Sequence, residues 1–575
     1  MIPTPTAPDL ATRPGDFATL SEALDYAAMG PTGVNLHSSR GELVEVLPYA
    51  SLRAEALQLA GRLLGAGLKV GDRVALAAES SGEFLRAFFA CQYAGLVPVP
   101  TPLPAPFGGK DAYVGHIRRM LVSADVRAAF APPELAAWFA ESAESLDLAV
   151  VGTLADVQSK SAAALPAQDP RGLCYLQYSS GSTRFPVGVA VSQSALMANV
   201  AAIGGPEGLG VNARDRAVSW LPLYHDMGLV GMLLTSMAFQ LSIDLLPTTA
   251  FVRRPGLWLE LISKRGGTIS YAPTFGYDLA ARRASAQMLT GLDLSSWRIA
   301  GVGGDMIRPG PLRAFAEAFS AAGFDPAAFV ASYGMAEATL ALTLSPVGQG
   351  LRTDTAETER LELAGKAGPA RAGAPSREFA LCGQVLGGHA IEVRGPNGKP
   401  LGERQVGRLF AAGPSLMKAY FGAPDETRQV LDEDGWLDTG DLGYTLGDQI
   451  VITGRAKDLI IVHGRNVWPQ DLEWTAERQI EGLRSGDVAA FQVATDNEEK
   501  VVALVQCRTR EPARRAELRD GTATTLRVTH GLEVEVVLVP PHSLPQTSSG
   551  KLSRSRAKSL YLSGAFQDAA QTVSA

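Results

Sequence analysis

The chain has 575 residues, more than one compact core usually contains, so we expect at least two domains. Hydrophobic residues make up 46% and charged residues 19% of the sequence, which is typical of a globular protein and excludes a disordered one. The formal net charge of -7 provides no basic surface field, which argues against a nucleic-acid partner.

Cysteine and histidine spacing argues against two kinds of site. Cys91, Cys174, Cys382 and Cys507 lie far apart without a CxxC pair, which favours a reducing compartment over disulfides or thiolate-bound zinc. The histidines form no HxxxH or HxxH pair, so a transition-metal site is not expected. The N-terminus lacks the features of a signal peptide, and the apolar run from Leu229 is about half as long as a membrane span. We therefore expect a buried helix at that run and a cytoplasmic protein.

Residues 51–101 are predicted to form an α/β unit. Apolar residues recur at helical steps from Leu52 to Leu63, and RVALAA, GEFLRAFFACQYAG and LVPVP then indicate strand, helix and strand. This order predicts a parallel strand pair with a helical crossover. The alternation continues with strands at 149 and 174 and with helices after Ser192 and Arg308. We expect a layered α/β architecture.

The second half of the chain changes character twice. Residues 346–379 are polar, rich in Gly, Ala and Pro, and poor in large apolar side chains, which is typical of a functional insertion or a disordered loop. From Phe379, short alternating segments separated by turns predict an antiparallel β region. GRAKDLIIVHGRN, from Gly454, is a plausible domain boundary, and the sequence beyond it predicts a small α+β lid domain.

The segment SSGSTRFPVGV, residues 179–189, follows the predicted strand CYLQY and has the composition of a phosphate-binding turn. A glycine-containing turn after a strand lets backbone N–H groups converge on an anion, and serine and threonine hydroxyls add donors. It is not the P-loop pattern GxxxxGK[ST], and Val187 stands where a lysine is expected. An ordinary serine-rich turn is the alternative. If the turn binds phosphate, its positive charge must come from elsewhere.

Five further motifs follow in a fixed order. They are LPLYHDMGL from 221, ASYGMAEATL from 331, GWLDTGDLG from 435, GRAKDLIIVHGRNVWPQDLE from 454 and PQTSSGKLSRS from 545. With the phosphate turn they make the chain, from about residue 40 to 555, similar to the adenylate-forming superfamily of acyl-CoA synthetases, luciferases and peptide-synthetase adenylation domains. The chain most resembles the fatty acyl-AMP ligases, which share ST-R-x-P with a small apolar residue in place of the lysine. APTFGYDLAARR, from 272, and the polar insertion after YGMAEATL also resemble that branch.

The resemblance implies an α/β fold class with two domains of unequal size. It implies a large N-terminal layered α/β domain with a distorted β-barrel-like subregion, and a small C-terminal α+β lid domain. The adenylation domain would cover 1–454 with the insertion at about 346–379, the hinge 455–458, and the mobile lid 459–575.

The resemblance also implies the central roles. Lys551 would swing into the site, where an ammonium between the attacking carboxylate and the α-phosphate relieves their repulsion. Glu337 would hold Mg²⁺, which needs few protein ligands. Asp441 would accept hydrogen bonds from the ribose hydroxyls with the help of Arg455, and Tyr333 would stack on adenine. The alternatives are a solvated lysine, an exposed glutamate at a helix start, and an arginine–aspartate surface pair.

The implied sets are larger. The ATP-binding set, of which Thr183 is also a catalytic candidate, is Ser179, Ser180, Gly181, Ser182, Thr183, Gly303, Gly304, Asp305, Ser332, Tyr333, Gly334, Met335, Asp441 and Arg455. The acyl-pocket set is His225, Asp226, Met227, Gly228, Thr274 and Phe275. His225 would shape the pocket rather than move a proton, with a plain structural loop as the alternative. Lys457 would be the hinge, where backbone rotation lets one small domain serve two half-reactions, or else an ordinary exposed lysine. Thr274 stands where asparagine is expected, so chain length and head-group preference stay open.

The reaction implied is activation of a fatty acid by ATP and Mg²⁺ to acyl-AMP and pyrophosphate. The acyl group would then pass to the phosphopantetheine thiol of an acyl carrier protein acting in trans, since no serine-bearing carrier domain follows residue 575. The insertion resembles the element that discourages the domain arrangement needed for CoA. Two alternatives are an acyl-CoA synthetase with the same first step, and a non-catalytic acyl- or carrier-binding pseudoenzyme, suggested by Val187 and Thr274.

Overall fold

The computed structural model describes residues 10–104, 109–178, 187–462, 464–494, 499–547 and 551–566. The first elements, in chain order, are α1 (Leu20–Ala27), β1 (Gly33–His37), β2 (Leu43–Pro48), α2 (Tyr49–Gly65), β3 (Arg73–Ala77), α3 (Gly82–Ala94), β4 (Val97–Thr101), α4 (Lys110–Ser123), β5 (Val126–Phe130), α5 (Pro133–Ser142), β6 (Val150–Gly152), α6 (Ala155–Gln158), β7 (Leu173–Tyr178), β8 (Gly188–Ser192) and α7 (Gln193–Gly204).

The middle of the chain contributes β9 (Arg216–Ser219), a π-helix (Met227–Leu234), α8 (Thr235–Ala238), β10 (Ser242–Leu245), α9 (Thr248–Arg253), α10 (Gly256–Arg265), β11 (Ile269–Ala272), α11 (Thr274–Arg282), α12 (Ala286–Leu289), β12 (Ile299–Val302), α13 (Pro309–Phe319), β13 (Phe329–Gly334) and β14 (Ala341–Leu344). Short 3₁₀ turns lie at Ser320–Ala322, Pro326–Ala328 and Ala336–Ala338.

The remaining elements are β15 (Thr353–Glu357), α14 (Thr358–Ala364), β16 (Ser376–Ala380), β17 (Gln384–Val385), β18 (Ala390–Arg394), β19 (Gly407–Ala412), α15 (Pro424–Val430), β20 (Leu437–Leu446), β21 (Gln449–Arg455), a 3₁₀ turn (Ala456–Asp458), β22 (Ile460–Val462), β23 (Arg465–Val467), α16 (Pro469–Gln479), β24 (Val488–Ala494), β25 (Glu499–Gln506), α17 (Pro512–His530), β26 (Val534–Val539) and α18 (Arg554–Leu562).

Two sheets, one mixed and one parallel, organise the large N-terminal domain. The larger has the order β17-β14-β13-β12-β11-β9-β10-β1-β2, with parallel pairing from β13 to β1 and antiparallel pairs toward both edges. The second, β4-β3-β5-β6, is parallel throughout and contains the predicted unit at 51–101, which is confirmed. The predicted strand at 174 exists as β7, but it pairs antiparallel with β8 in a separate hairpin.

Local signals explain where these elements begin and end. The Ser81 hydroxyl accepts a hydrogen bond from Phe84 N at 3.3 Å and caps α3, while Gly95, at φ +66°, ends it in the left-handed conformation. The apolar run from Leu229 forms the π-helix and α8, so the prediction of a buried helix there is confirmed. No helix in the described part of the chain is both long and apolar enough to cross a membrane.

The polar stretch 346–379 is folded rather than irregular. β15 and β16 pair antiparallel, and α14 lies between them. The few apolar residues of this stretch, Leu361 and Phe379 among them, are buried in a small cluster with Tyr444 and Trp468. Composition alone underestimated the order of this stretch because its apolar side chains are completed by residues about a hundred positions away.

The smaller C-terminal domain is built on the three-stranded sheet β24-β25-β26. β24 and β25 pair antiparallel and β26 joins β25 in parallel. Leu472 of α16 and Leu526 of α17 belong to one apolar cluster with this sheet, and Ala557 of α18 belongs to a second. The mixed α/β architecture with a large N-terminal and a small C-terminal domain agrees with the predicted fold class.

Candidate active site

The predicted motifs converge at one edge of the large sheet. Gly303 and Gly304 follow β12, Tyr333 is the penultimate residue of β13, and Thr274 lies two residues after the end of β11. In parallel α/β sheets the carboxyl ends of adjacent strands form the ligand-binding crevice, so loops distant in sequence meet there. The residues that follow β11, β12 and β13 therefore lie beside one another, although they are far apart in the sequence.

The Gly303–Gly304–Asp305 loop lies tightly against its neighbours. A Cβ on Gly303 would overlap Ser332 Oγ, which donates to Val302 O at 3.1 Å. Gly304 has φ +76°, and a Cβ there would lie 3.4 Å from Met227 Cε, so this loop lies beside a residue of the predicted acyl-pocket set. Asp305 is exposed, and its carboxylate accepts the Met306 N–H at 2.8 Å. Both glycines are thus required by close approach or by backbone conformation.

Asp441 is the most heavily supported carboxylate of the site. The β20–β21 register sets it opposite Arg455, with Arg455 Nε 2.8 Å from Asp441 Oδ1. Tyr333 Oη donates to Asp441 Oδ2 at 2.8 Å. Asp441 is only 5% exposed, and this burial raises its pKa while Arg455 opposes the rise. A carboxylate has about four acceptor positions, so two remain for hydroxyl donors such as those of a ribose.

Glu337 lies in a turn held by unusual backbone geometry. Tyr420 Oη donates to Glu337 Oε1 at 2.8 Å, and Met417 N donates to the Glu337 carbonyl at 2.8 Å. Two residues on, Thr339 has φ +68°, a strained conformation for a β-branched residue, and its hydroxyl donates to Ser415 O at 2.7 Å. Glu337 is half-buried, and its Oε2 receives no hydrogen bond from the described residues. One such carboxylate oxygen fits Mg²⁺, which is usually held by one or two carboxylates plus substrate phosphates.

Gly334 and Met335 connect Tyr333 to Glu337. A Cβ on Gly334 would overlap the Leu340 carbonyl oxygen, so the chain can pass there only as glycine. Met335 N donates to that same Leu340 oxygen at 2.7 Å. The loop therefore closes on itself and fixes the separation between the end of β13 and Glu337.

Lys551 belongs to the C-terminal domain, where its backbone pairs with Thr547. Its carbonyl accepts a hydrogen bond from Thr547 N at 2.7 Å, and its own N–H donates to Thr547 Oγ1 at 3.2 Å. Burial raises the pKa of Asp226 and of Asp441, and the Lys551 ammonium is near enough to oppose both shifts. The charge of Lys551 thus acts on two buried carboxylates of the large domain, one from the predicted acyl-pocket set and one from the predicted ATP-binding set.

The motif that supplies the predicted acyl-pocket set, LPLYHDMGL from Leu221, leads into the π-helix through closely packed backbone. Gln177 Nε2 donates to Tyr224 O at 2.7 Å, the rings of Tyr224 and His225 lie 5.0 Å apart, and Asp226 Oδ1 accepts the Met227 N–H at 2.7 Å. Gly228 lies so close to the backbone of Pro222 that a Cβ at this position would overlap the Pro222 carbonyl oxygen. π-helices are rare and frequently mark functional sites.

Thr274 and Phe275 are the first two residues of α11, which follows β11. The buried Thr274 hydroxyl accepts the Arg308 N–H at 3.3 Å, so it fixes the start of the segment that leads into α13. Phe275 meets Trp220 edge-on with ring centroids 6.0 Å apart. The hydroxyl that replaces the expected amide at 274 therefore has a structural partner of its own.

The remaining predicted residues are placed as follows. Lys457 is exposed and lies in the 3₁₀ turn Ala456–Asp458, between β21 and β22. The phosphate-turn residues Ser179, Ser180, Gly181, Ser182 and Thr183 lie outside the described residues. Val187 is half-buried directly before β8.

Sequence reasoning missed the side chains that join the two domains. Arg377 of β16 has its Nε 2.9 Å from Asp471 Oδ1 in α16. Arg308 donates to Ser485 Oγ at 2.6 Å and lies 3.7 Å from Glu477, the pKa of which burial raises to about 8. These partners are separated by 94 to 177 positions, as their residue numbers show, so no local pattern could have paired them.

Comparisons with known proteins give the family. Residues 38–421 match the model of the AMP-binding enzymes. A Caulobacter vibrioides protein that carries the provisional name acyl-CoA synthetase is 58% identical over 98% of this chain and 99% of its own. The medium-chain-fatty-acid–[acyl-carrier-protein] ligase JamA of Moorena producens is 31% identical over 96% of each chain.

A solved structure from a study of fatty acyl-adenylate ligases of E. coli and L. pneumophila has a TM-score of 0.92 and 44% identity. It covers 96% of this chain and 99% of its own. Its likeness therefore spans both domains, including the C-terminal domain that carries Lys551. The chain belongs to the AMP-binding enzymes, in the fatty acyl-AMP ligase branch of the adenylate-forming superfamily.

Proposed function

We propose that this enzyme uses ATP and Mg²⁺ to convert a fatty acid into acyl-AMP and pyrophosphate, and then transfers the acyl group to the phosphopantetheine thiol of an acyl carrier protein acting in trans. The observation that carries the first step is that the charge of Lys551, from the C-terminal domain, opposes the rise that burial causes in the pKa of Asp226 and of Asp441, two carboxylates of the large domain. We place the reaction in the cytoplasm, in accord with four buried, unpaired cysteines.

In the first half-reaction a carboxylate oxygen of the acid attacks the α-phosphorus, and the bond between that phosphorus and the pyrophosphate oxygen breaks. Two anions must approach each other, and Val187 provides no charge beside the phosphate turn. The Lys551 ammonium would supply it, and single preorganised donors of this kind contribute roughly 100- to 1,000-fold in rate. Glu337 would hold Mg²⁺, which neutralises phosphate charge when bound. Asp441 would orient the ribose, and Tyr333 the adenine.

The contacts of the folded stretch 346–379 support a carrier protein as the acceptor. Besides the Arg377–Asp471 pair, Arg465 Nη2 lies 2.7 Å from Glu362 Oε2, so α14 is tied to the small domain. Trp468 of the small domain completes the apolar cluster of this stretch. These contacts tie the folded stretch to the small domain, and its resemblance to the insertion of the fatty acyl-AMP ligases implies that it discourages the domain arrangement needed for CoA. JamA, by its name, acts with a carrier protein.

An acyl-CoA synthetase is the second candidate, favoured by the provisional name of the Caulobacter relative. It shares the first half-reaction and differs only in the thiol that accepts the acyl group. The two candidates are therefore separated by the second half-reaction alone.

The first half-reaction is tested with Lys551→Ala and the matched control Lys558→Ala, a half-buried lysine of α18 in the same domain. Acid-dependent exchange of pyrophosphate into ATP should fall roughly 100- to 1,000-fold for Lys551→Ala and stay near wild type for the control. Equal activity of wild type and Lys551→Ala would contradict the role proposed for this lysine.

A further inference from the structure

Lys551 lies on one of two paired chain segments, residues 545–547 and 551–553, which together are called the lysine hairpin. Its two arms are joined by an antiparallel bridge between Gln546 and Leu552 and by a hydrogen bond from Ser553 N to Pro545 O at 2.9 Å. These polar contacts are internal to the hairpin. Its described contact with the rest of the C-terminal domain includes Leu552, which packs against the apolar cluster that contains Ala557.

Arg554, the first residue after the hairpin, forms the polar connection between the hairpin and the rest of the C-terminal domain. Its Nε and Nη2 donate to the two carboxylate oxygens of Glu473, each at 2.7 Å, and its Nη1 donates to Asp458 Oδ2 at 3.0 Å. The Glu473 side chain is only 4% exposed. A planar guanidinium can serve one carboxylate bidentately and a second one at the same time, which a lysine ammonium cannot do with the same geometry.

Both partners of Arg554 are themselves fixed. Glu473 lies in α16, and its Oε1 also accepts Ala490 N of β24 at 3.0 Å, so it belongs to the rigid body of the small domain. Asp458 ends the 3₁₀ turn that contains Lys457, the proposed hinge. A continuous set of short polar contacts therefore links the hinge turn, the domain core and the start of the lysine hairpin.

We infer that Arg554 is a positioning residue for Lys551: it locks the lysine hairpin to Glu473 and Asp458, so that the ammonium is held in the site and follows any rotation at the hinge. The inference rests on the proposed role of Lys551 in acyl-AMP formation. A misplacement of about 1 Å at a reacting centre costs on the order of 100-fold in rate. Loss of the anchor should thus lower the rate of adenylate formation while leaving ATP binding, which depends on the large domain, nearly unchanged.

The test is a double-mutant cycle on the full-length enzyme, using Arg554→Gln, Lys551→Ala and the double variant. Arg508→Gln is the matched control, because Arg508 makes a bidentate pair with Asp487 at 2.6 and 2.8 Å in the same domain but outside the hairpin. Pyrophosphate exchange gives kcat and the KM for ATP, and thermal unfolding reports whether each variant is folded. Arg554→Lys keeps the positive charge but cannot donate bidentately to Glu473, and it replaces Arg554→Gln in the test if that variant does not fold.

We expect Arg554→Gln to lower kcat roughly 10- to 100-fold with the KM for ATP within about threefold of wild type. In the Lys551→Ala background the same change should have almost no further effect, because a misplaced lysine and a missing lysine are equivalent. Arg554→Lys should fall between wild type and Arg554→Gln, and Arg508→Gln should retain kcat.

Three results would overturn the inference. One is an undiminished kcat in a folded Arg554→Gln or Arg554→Lys variant. Another is a full additional loss from Arg554→Gln in the Lys551→Ala background, which would show that Arg554 does not act through the lysine. The third is an equal loss in Arg508→Gln, which would indicate general stability. Full activity of Lys551→Ala would instead contradict the proposed function, so the two failures are distinguishable.

Discussion

Arg377 provides the sharpest test of how the folded stretch 346–379 holds the C-terminal domain. Its side chain is 8% exposed, and its guanidinium lies over the rings of Phe379 and Trp468, at 4.4 and 5.0 Å from their centroids. Nη2 donates to Thr453 O at 3.1 Å, and Nε lies 2.9 Å from Asp471 Oδ1. The substitution Arg377→Met keeps a flexible apolar stem in this space and removes the charge.

The expected loss follows from what Arg377→Met leaves behind. Removing one partner of a buried ion pair costs about 3–5 kcal/mol, because the other charge stays buried without compensation. Burial raises the pKa of Asp471 to about 6 even though Arg377 opposes the shift. Without Arg377 that pKa rises further, so the carboxyl is protonated in the folded state over a wider pH range. Above about pH 6 the deficit relative to wild type should grow by roughly 1.4 kcal/mol per pH unit.

The assay is urea denaturation at several pH values, combined with hydrogen exchange of the α16 amides. Arg377→Met should lower the free energy of unfolding, and the loss should increase from pH 6 to pH 8. Arg377→Met/Asp471→Asn is the matched control: removing the second charge should recover most of the loss and abolish its pH dependence. A loss of unfolding free energy that does not change with pH, or one that the double variant does not reduce, would contradict the role of the Arg377–Asp471 ion pair.

Three other predictions concern the site and its surroundings. Asp441→Asn removes the charge that pairs with Arg455, so AMP affinity measured by calorimetry should fall about tenfold; unchanged affinity would contradict a nucleotide role. Burial raises the pKa of Glu477 to about 8 from an ordinary 4.5, so the folded state holds the proton more tightly and stability should fall as pH rises from about 4.5 to about 8. Glu477→Gln should remove roughly 1.4 kcal/mol per pH unit of that slope in urea titrations, and an unaltered slope would argue against the shift. Gly228→Ala introduces a Cβ that overlaps the Pro222 carbonyl oxygen, and it should cost about 1–3 kcal/mol in thermal unfolding, whereas an unchanged Tm would show that the loop adapts freely.

Local pattern was sufficient for elements whose signals are local. The helical spacing from Leu52 to Leu63 predicted α2, and the apolar run RVALAA predicted β3. Both predictions succeeded because the pattern of apolar residues within one short segment shows which of its faces is buried.

Contacts between distant residues could not be predicted in this way. Tyr333 and Asp441 are 108 positions apart, and only the fold shows that the hydroxyl donates to the carboxylate. The positive φ of Thr339 has no sequence signature, since a β-branched residue is among the last expected there. The order of residues 346–379 was also hidden, because its apolar cluster is completed from outside by Tyr444 and Trp468.

The proposed enzyme forms an adenylate and then transfers the acyl group to a carrier protein rather than to CoA. The most direct measurement incubates the enzyme with a panel of fatty acids, ATP and Mg²⁺, alone, with CoA, or with a carrier protein bearing phosphopantetheine, and reads the products by mass spectrometry. We expect acyl-adenylate that persists in the presence of CoA and is consumed when the carrier is added, with the acyl mass appearing on the carrier. Conversion of the adenylate to acyl-CoA without any carrier would contradict this expectation.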